Sequence, residues 1–342
     1  MTLNNRHPRA LLPALLVALA APGAHAADLL ASRVAAAQKA GTPTWLSWSV
    51  PSAIDGNACC WNSRDSSRSQ TCSLSSNSYG MNMSDDDGRP ADPTLMIYAH
   101  VVGASGVDKV RAFSSSCRVD RGGEAVQDIA GVGAAESVAF LEGLVKGSEG
   151  DRATKRRSDG ALSAIAIHDE RSADAVLERV ARDGETKQLR HSAAFWLGNT
   201  RERAGYEALV RLRASDDASF REHLTFAFSQ SRVAEAPAAL IDMARNDASP
   251  RVRGQALFWI AQKARRKADA DVIRAGTDDP DAEVKKKAVF ALSQIPNGEG
   301  VPDLIRVARE NKSREVRKQA MFWLGQSKDP RALAFFEQIL GR

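Results

Sequence analysis

The segment VRGQALFWIA at residues 252–261 recurs as LRHSAAFWLG at 189–198, FREHLTFAFS at 220–229, VKKKAVFALS at 284–293 and VRKQAMFWLG at 316–325. The five superimpose without gaps. Their phenylalanines stand at 195, 226, 258, 290 and 322, in steps of 31, 32, 32 and 32, and a weaker copy with Ile165 in that place lies 30 residues earlier. Self-similarity at a fixed period of this length marks a repeat architecture. Each copy is followed by a second apolar-periodic stretch, such as APAALIDMA at 236–244, VPDLIRVA at 301–308 and ALAFFEQIL at 332–340. Two helices per period make a helical hairpin. Neither helix buries its apolar face alone, so successive hairpins must stack around one continuous core. The expected fold from about residue 160 to 342 is an all-α, right-handed α-α superhelix of about six repeats.

Helical periodicity sorts the residues within one copy. At about 100° per residue, Val252, Ala256 and Ile260 share one face, and Trp259 lies at its margin. Phe258 falls roughly 160° from the centre of that face, as do Phe195, Phe226, Phe290 and Phe322 in their own copies. The pattern therefore places a row of five aromatic rings on the outer side of the first helices. Two uses compete for it. Each ring leans onto the neighbouring helix and extends packing between repeats, or part of the row is an exposed apolar strip that docks a partner or the chain's own amino-terminal region.

The V-R-x-x-A-x-x-x-L-G pattern of the first helix, with an acidic or amide residue in the turn before it (Asp216, Asp247, Asp279, Asn311), resembles the HEAT-repeat family. The resemblance is strongest to its short bacterial form, the phycobilisome-lyase-like HEAT repeat, and it covers roughly residues 160 to 342. It implies that these turn residues cap helices and face the following Arg221, Arg253, Lys285 and Arg317. It also implies a scaffold or partner-binding surface, because fold of this kind carries many functions. A chromophore-lyase activity has only the family's nickname behind it.

The amino terminus reads differently. Arg6 and Arg9, an apolar run from Leu11 to Ala21 and Ala24-His25-Ala26 compose a secretory signal peptide over residues 1–26. The run is about half the ~20 residues that span a bilayer, and no cysteine follows the cut, so the processed chain is expected to be exported, periplasmic or secreted, without a stable membrane anchor. All four cysteines, Cys59, Cys60, Cys72 and Cys117, fall in residues 27–120. An even number in an exported chain favours two disulfides, and adjacent cysteines rarely bridge each other, so Cys59 and Cys60 should reach separately to Cys72 and Cys117. The run from Leu95 to Val102, the turn Gly103–Gly106 and Val107 to Phe113 form a hairpin, with Trp45–Val50 as a third strand and Asn62–Asp92 as loop. Residues 27–120 are thus expected to be a small, disulfide-stapled, strand-containing domain, too small for a self-sufficient core. Residues 121–159 connect it to the solenoid, with a helix near 134–147.

Composition limits the partner. The 342 residues hold 47 basic and 42 acidic side chains, with 43% hydrophobic and 26% charged residues. This excludes a mainly disordered, collagenous or multispanning chain. Loss of Arg6 and Arg9 lowers the formal charge from +5 to +3. An excess so small and so dispersed is no phosphate-binding stripe, and nucleic acid is not an expected partner.

Catalytic motifs are missing from the sequence: there is no G-x-S-x-G, no phosphate loop after a strand and no H-E-x-x-H. Of the histidines outside the signal peptide, His168-Asp169-Glu170 and Glu222-His223 stand in different registers, and His191 and His223, about 100° apart on separate helices, make a poor ligand set. The cysteine spacing lacks zinc pairs or a redox C-x-x-C. Asp85-Asp86-Asp87-Gly88 begins like a calcium loop, but Met96 stands where the twelfth-position glutamate belongs. No metal or cofactor is expected. The reading is a non-catalytic scaffold of the cell envelope that binds a protein or peptide, with Phe195, Phe226, Phe258, Phe290 and Phe322 as candidate contact residues. A lyase-like metal- or cofactor-dependent enzyme with its site between the domains is the first alternative. The second is an envelope-polysaccharide binder stacking sugars on Trp45, Trp48 and Trp61.

Overall fold

A computed structural model describes residues 28–54, 56–61, 71–76, 80–84, 93–147, 151–263 and 267–341. The signal-peptide reading and the calcium-like Asp85–Gly88 turn lie outside the described residues. The chain opens with α1 (Asp28–Ala40), then β1 (Thr44–Pro51), β2 (Asn57–Trp61), β3 (Thr71–Ser73), β4 (Gly80–Ser84), β5 (Thr94–Val102), β6 (Gly106–Ser114), β7 (Arg118–Asp120) and β8 (Val126–Asp128). It continues through α2 (Ala134–Glu142), shorter than the helix expected there, into six helical hairpins. These are α3 (Arg152–Ala166) with α4 (Arg171–Asp183), α5 (Lys187–Thr200) with α6 (Glu202–Leu212), and α7 (Ala218–Gln230) with α8 (Ala236–Asn246). They are followed by α9 (Pro250–Lys263) with α10 (Lys267–Ala275), α11 (Ala282–Ser293) with α12 (Val301–Glu310), and α13 (Arg314–Gln326) with α14 (Pro330–Leu340). None of the described helices is long and apolar enough to cross a membrane.

Four strands form a sheet in the order β6-β5-β1-β8, antiparallel except for the parallel β1–β8 pair. The stretch Asn62–Asp92, read as loop, contains two short strands: β4 pairs with β2, and β3 runs parallel to β7. Alternation along the strands assigns two buried faces. Leu46, Trp48, Val50, Ile97, Ala99, Val110 and Ala112 join the helices in one core, while Trp45, Tyr98 and Phe113 pack with Cys72, Leu74 and Cys117 on the other side. The bridges are Cys59–Cys117 and Cys60–Cys72, and they hold the second layer against the sheet.

Where the sheet meets the solenoid, separate domains give way to one packed unit. The large core runs without a break from Leu30 through the sheet to Phe335. Helix α3 begins at Arg152, before the expected start of the repeats, and lies on β6. A Cβ on Gly160 would sit 2.4 Å from the Val110 carbonyl oxygen, so only glycine allows this approach. The backbone is also joined: Ala53 N–H donates to Ile167 O (2.9 Å) and Asp169 N–H to Pro51 O (3.0 Å). The sheet therefore occupies the place that a preceding hairpin would take, and it covers the first repeat rather than the phenylalanine row.

The repeats follow the sequence pattern closely. Val252, Ala256, Leu257 and Ile260 are buried in α9, as are Val284, Ala288, Val289 and Leu292 in α11. Caps come from the turns: Asp217, Asp281, Ser313 and Asp329 accept from N–H groups of the first turns of α7, α11, α13 and α14, satisfying donors that a helix start leaves open. The caps are not the expected residues: Asp217 stands in place of Asp216, Asp281 in place of Asp279 and Ser313 in place of Asn311, while Asp247, Asp279 and Asn311 each accept from the N–H two residues on, in the turn before the helix. The arginines also reach farther than their own turn. Arg221 makes a fork on Asp247 (2.9 and 3.0 Å) and Arg253 one on Asp279 (2.8 and 2.9 Å), each one repeat ahead. The same arginines reach back with Nη1 to Ser215 O and Asp247 O in their own turns.

Candidate functional site

The aromatic row is continuous with the tryptophans that follow some of its members. Phe195 stacks on Phe226 at 5.7 Å, and Phe226 meets Trp259 at 4.9 Å. Phe258 contacts Trp259 at 5.0 Å and stacks on Phe290 at 6.2 Å, and Phe290 meets Trp323 at 5.1 Å. Each ring thus rests on a ring of the next first helix, and the first four phenylalanines are half-buried. Phe322 touches Trp323 of its own helix at 5.2 Å, but no ring of a following helix covers it, and it is 56% exposed. The result is a ribbon of aromatic edges across the first helices of five successive hairpins, α5, α7, α9, α11 and α13. Position alone, at the margin of the buried face, does not reveal that Trp259 and Trp323 interleave with the phenylalanines.

The ribbon's amino-terminal end carries a histidine pair. His191 and His223, expected to diverge by about 100°, are stacked with centroids 3.9 Å apart and planes 8° from parallel. The expectation compared positions within isolated helices; neighbouring helices here are offset so that residues 32 apart face each other. His223 Nε2–H donates to His191 O at 2.9 Å. Burial, followed by the repulsion of His223, Lys187 and Arg190, pushes His191 down to about 4, and burial lowers His223 as well. Both rings are held neutral and aromatic. They extend the ribbon, and among the described residues no group of three His, Cys, Asp or Glu side chains is arranged to hold a metal.

Sequence reasoning missed a polar relay at the sheet–solenoid junction, because its members are far apart in the chain. Trp48 Nε1–H donates to Ser137 Oγ (2.7 Å), which lies 2.8 Å from His168 Nε2; His168 Nδ1 is 2.6 Å from Ala164 O. A carbonyl only accepts, so Nδ1 carries the proton and bare Nε2 accepts from Ser137. Burial pushes His168 down to about 4. A hydroxyl on an imidazole has the form of a nucleophile and its base. Here Ser137 and His168 are both wholly buried and both satisfied, so the relay closes a core.

The second face of the sheet holds His100, stacked on Trp45 at 4.7 Å, with its ring nitrogens 2.7 Å from Asp108 and 3.1 Å from Glu124. Glu124 also accepts from Trp45 Nε1 (2.7 Å), and the bond to His100 helps hold the Asp108 carboxyl below its usual range despite burial. Trp45 and Trp48 are each 1% exposed, so neither offers a platform for sugars, while the side chain of Trp61 lies outside the described set. A cleft of about 620 Å³ opens where the α7–α8 turn meets α9 and α10, lined by Phe228, Pro237, Ile241, Lys263 and Asp269 among others.

A family model described as HEAT repeats matches residues 270–342. No curated protein matches the chain in sequence. Among solved structures, human deoxyhypusine hydroxylase in complex with glycerol is similar at 16% identity, over 60% of this chain and 90% of that one, with a TM-score of 0.26. The complex of CpcE and CpcF of phycocyanin lyase from Nostoc sp. PCC7120 is similar at 15% identity, over 60% and 81%, with a TM-score of 0.30. A designed armadillo repeat protein in complex with peptide (KR)4 is similar at 17% identity, over 55% and 98%, with a TM-score of 0.31.

Proposed function

We propose that this chain, whose residues 270–342 are HEAT repeats, is an exported, non-catalytic scaffold of the cell envelope that binds a protein or peptide partner along its aromatic ribbon. The observation that carries the reading is the ribbon itself. Partly buried Phe and Trp rings on the first helices of five successive hairpins, ending in the exposed Phe322, make a contiguous apolar strip, and such strips on otherwise charged surfaces mark sites of contact. Aromatic rings also supply large contact area with few rotors to immobilise, which is why they dominate binding energy where they occur at interfaces. Export is supported by the leader-like residues 1–26 and by two disulfides, which persist in oxidising compartments. Against a catalytic site between sheet and solenoid speaks the packing of Trp48, Phe140, Ser137 and His168 at that junction.

Site-specific photo-crosslinking tests the reading. A benzoylphenylalanine at Gln262, exposed one turn beyond Phe258, should capture a discrete partner from envelope extracts, and one at Arg245 on α8 should not. Capture from Arg245 alone would move the binding surface to the second helices. Amino-terminal sequencing of the envelope-fraction protein should begin at Ala27; an intact Met1 there would sink the export reading.

A further inference from the structure

Four residues beyond each phenylalanine of the ribbon stands an amide: Asn199, Gln230, Gln262, Gln294 and Gln326. One helical turn separates each from its ring on the same face, so the amides form a second row beside the aromatic one. Position on that face does not by itself impose an amide. Two turns before the phenylalanines it carries Gln188, Ser219, Arg251, Glu283 and Glu315, which share no chemistry. The array makes little use of the amides for its own packing. Gln230 and Gln294 donate to Ser229 and Ser293 Oγ beside them (2.9 and 3.2 Å), and among the described residues no amide of the row bonds to a neighbouring hairpin. Gln262 and Gln326 are exposed and the others half-buried. Each side chain thus keeps at least one N–H for an outside acceptor.

At the amino-terminal end of the row, Asn199 and Gln230 stand on the wall of the cleft of about 620 Å³ together with Arg232 and Lys263, with Leu240 and Ile260 as apolar lining. Both cations are exposed, and among the described residues neither has an acidic partner. Asp269 on the same wall is buried and already has a partner. The charge left open at this end is therefore positive.

Spacing selects the conformation of what fits along the row. Packed helices lie roughly 8–10 Å apart. A polyproline-II chain advances about 9 Å per three-residue turn, so it brings the same side of its backbone to each amide in step with the hairpins. It has no internal hydrogen bonds, and its carbonyls are open to the N–H groups of the row. A strand repeats about every 6.7 Å and falls out of step, and a helix spends its carbonyls on itself. Proline-rich chains of this form also dock into aromatic-lined grooves. We infer that a proline-rich segment of the partner, in the polyproline-II conformation, lies across α5, α7, α9, α11 and α13. Its carbonyls accept from the amide row, its proline rings rest on the aromatic ribbon, and an acidic residue faces Arg232 and Lys263. The inference deepens the protein-binding reading and rests on it. The four steps from Asn199 to Gln326 correspond to about twelve residues of such a chain.

A synthetic peptide of four Pro-Pro-Asp units is the probe. Fluorescence anisotropy with the full-length processed protein should show saturable one-to-one binding, weakened roughly threefold by Gln262→Leu or Gln294→Leu and roughly tenfold by the two together, at unchanged melting temperature. The peptide should bind roughly fivefold more tightly than one of four Pro-Pro-Gln units, and Arg232→Gln with Lys263→Gln should erase that preference. A helical peptide of Glu-Ala-Ala-Ala-Lys units should bind at least roughly tenfold more weakly. Gln262→Glu keeps the size of the side chain and removes its donors, so it should weaken the Pro-Pro-Gln peptide as much as Gln262→Leu does, and this single exposed change serves if the double variant melts lower. The inference is overturned if the Pro-Pro-Asp peptide fails to saturate at about 1 mM, if the leucine and glutamate variants bind as the parent does, or if the helical peptide binds as tightly. The crosslinker at Gln262 removes one amide of the row and leaves the others. Capture from it without peptide binding would sink this inference and spare the ribbon; peptide binding without capture would do the reverse.

Discussion

His168 is the residue whose burial has the clearest measurable consequence. Its imidazole titrates near 4 in the folded chain against an ordinary 6.5, so the unfolded chain takes up the proton first as pH falls. The contribution is full above pH 6.5 and is lost between 6.5 and 4, on the order of 3 kcal/mol in all. His191 and His223 act in the same direction, so urea titrations at pH 7 and pH 4.5 should be compared with His168→Gln, which should show a clearly smaller pH dependence. An unchanged slope would mean that the relay is open to water. At Gly160 the expected effect is steric: Gly160→Ala forces α3 off the Val110 carbonyl and should cost about 1–3 kcal/mol in urea unfolding, although alanine is the better helix former.

At the scale of elements, burial separates ion pairs that look alike in sequence. Arg253 and Asp279 are only 11% and 10% exposed, whereas Arg203 and Glu235 are 55% and 51% exposed. Arg253→Gln leaves a carboxylate enclosed and should destabilise by about 3 kcal/mol, while Arg203→Gln should leave the same denaturation curve nearly unmoved. The ribbon divides likewise. Phe258→Ser removes a ring held between Trp259 and Phe290 and should cost about 2–4 kcal/mol, whereas Phe322→Ser should stay within about 0.5 kcal/mol of the parent. Similar melting curves for the two would contradict the packing described for Phe258. The helices themselves were legible because the period repeats in the chain: the apolar positions of 252–261 recur on α5, α11 and α13. The reach of Arg221 to Asp247 was not legible, since sequence order pairs an arginine with its nearest acid and stacking pairs it with one 26 residues ahead.

For the whole molecule, the shared core makes the sheet and the first hairpin one cooperative unit, while later hairpins depend mainly on their neighbours. Hydrogen exchange should therefore give β6 and α3 equal protection and show a decline toward α13 and α14. Protection that rises toward α14 would be incompatible with that order. The strands around Trp45 and Leu95 could be read from alternation, but nothing local announces that the face carrying Leu46, Trp48 and Val110 meets a helix beginning at Arg152. That contact depends on Gly160, Trp48, Ser137 and His168, which only tertiary structure brings together.

The sheet over α3 also gives the array a direction of growth. A hairpin duplicated next to α3 would have to displace strands already bonded to residues 167–169, whereas one inserted between later hairpins would displace no strand among the described residues. Length variation in chains of this build should accumulate among the repeats after the first, with the sheet and its first repeat inherited as a fixed foundation.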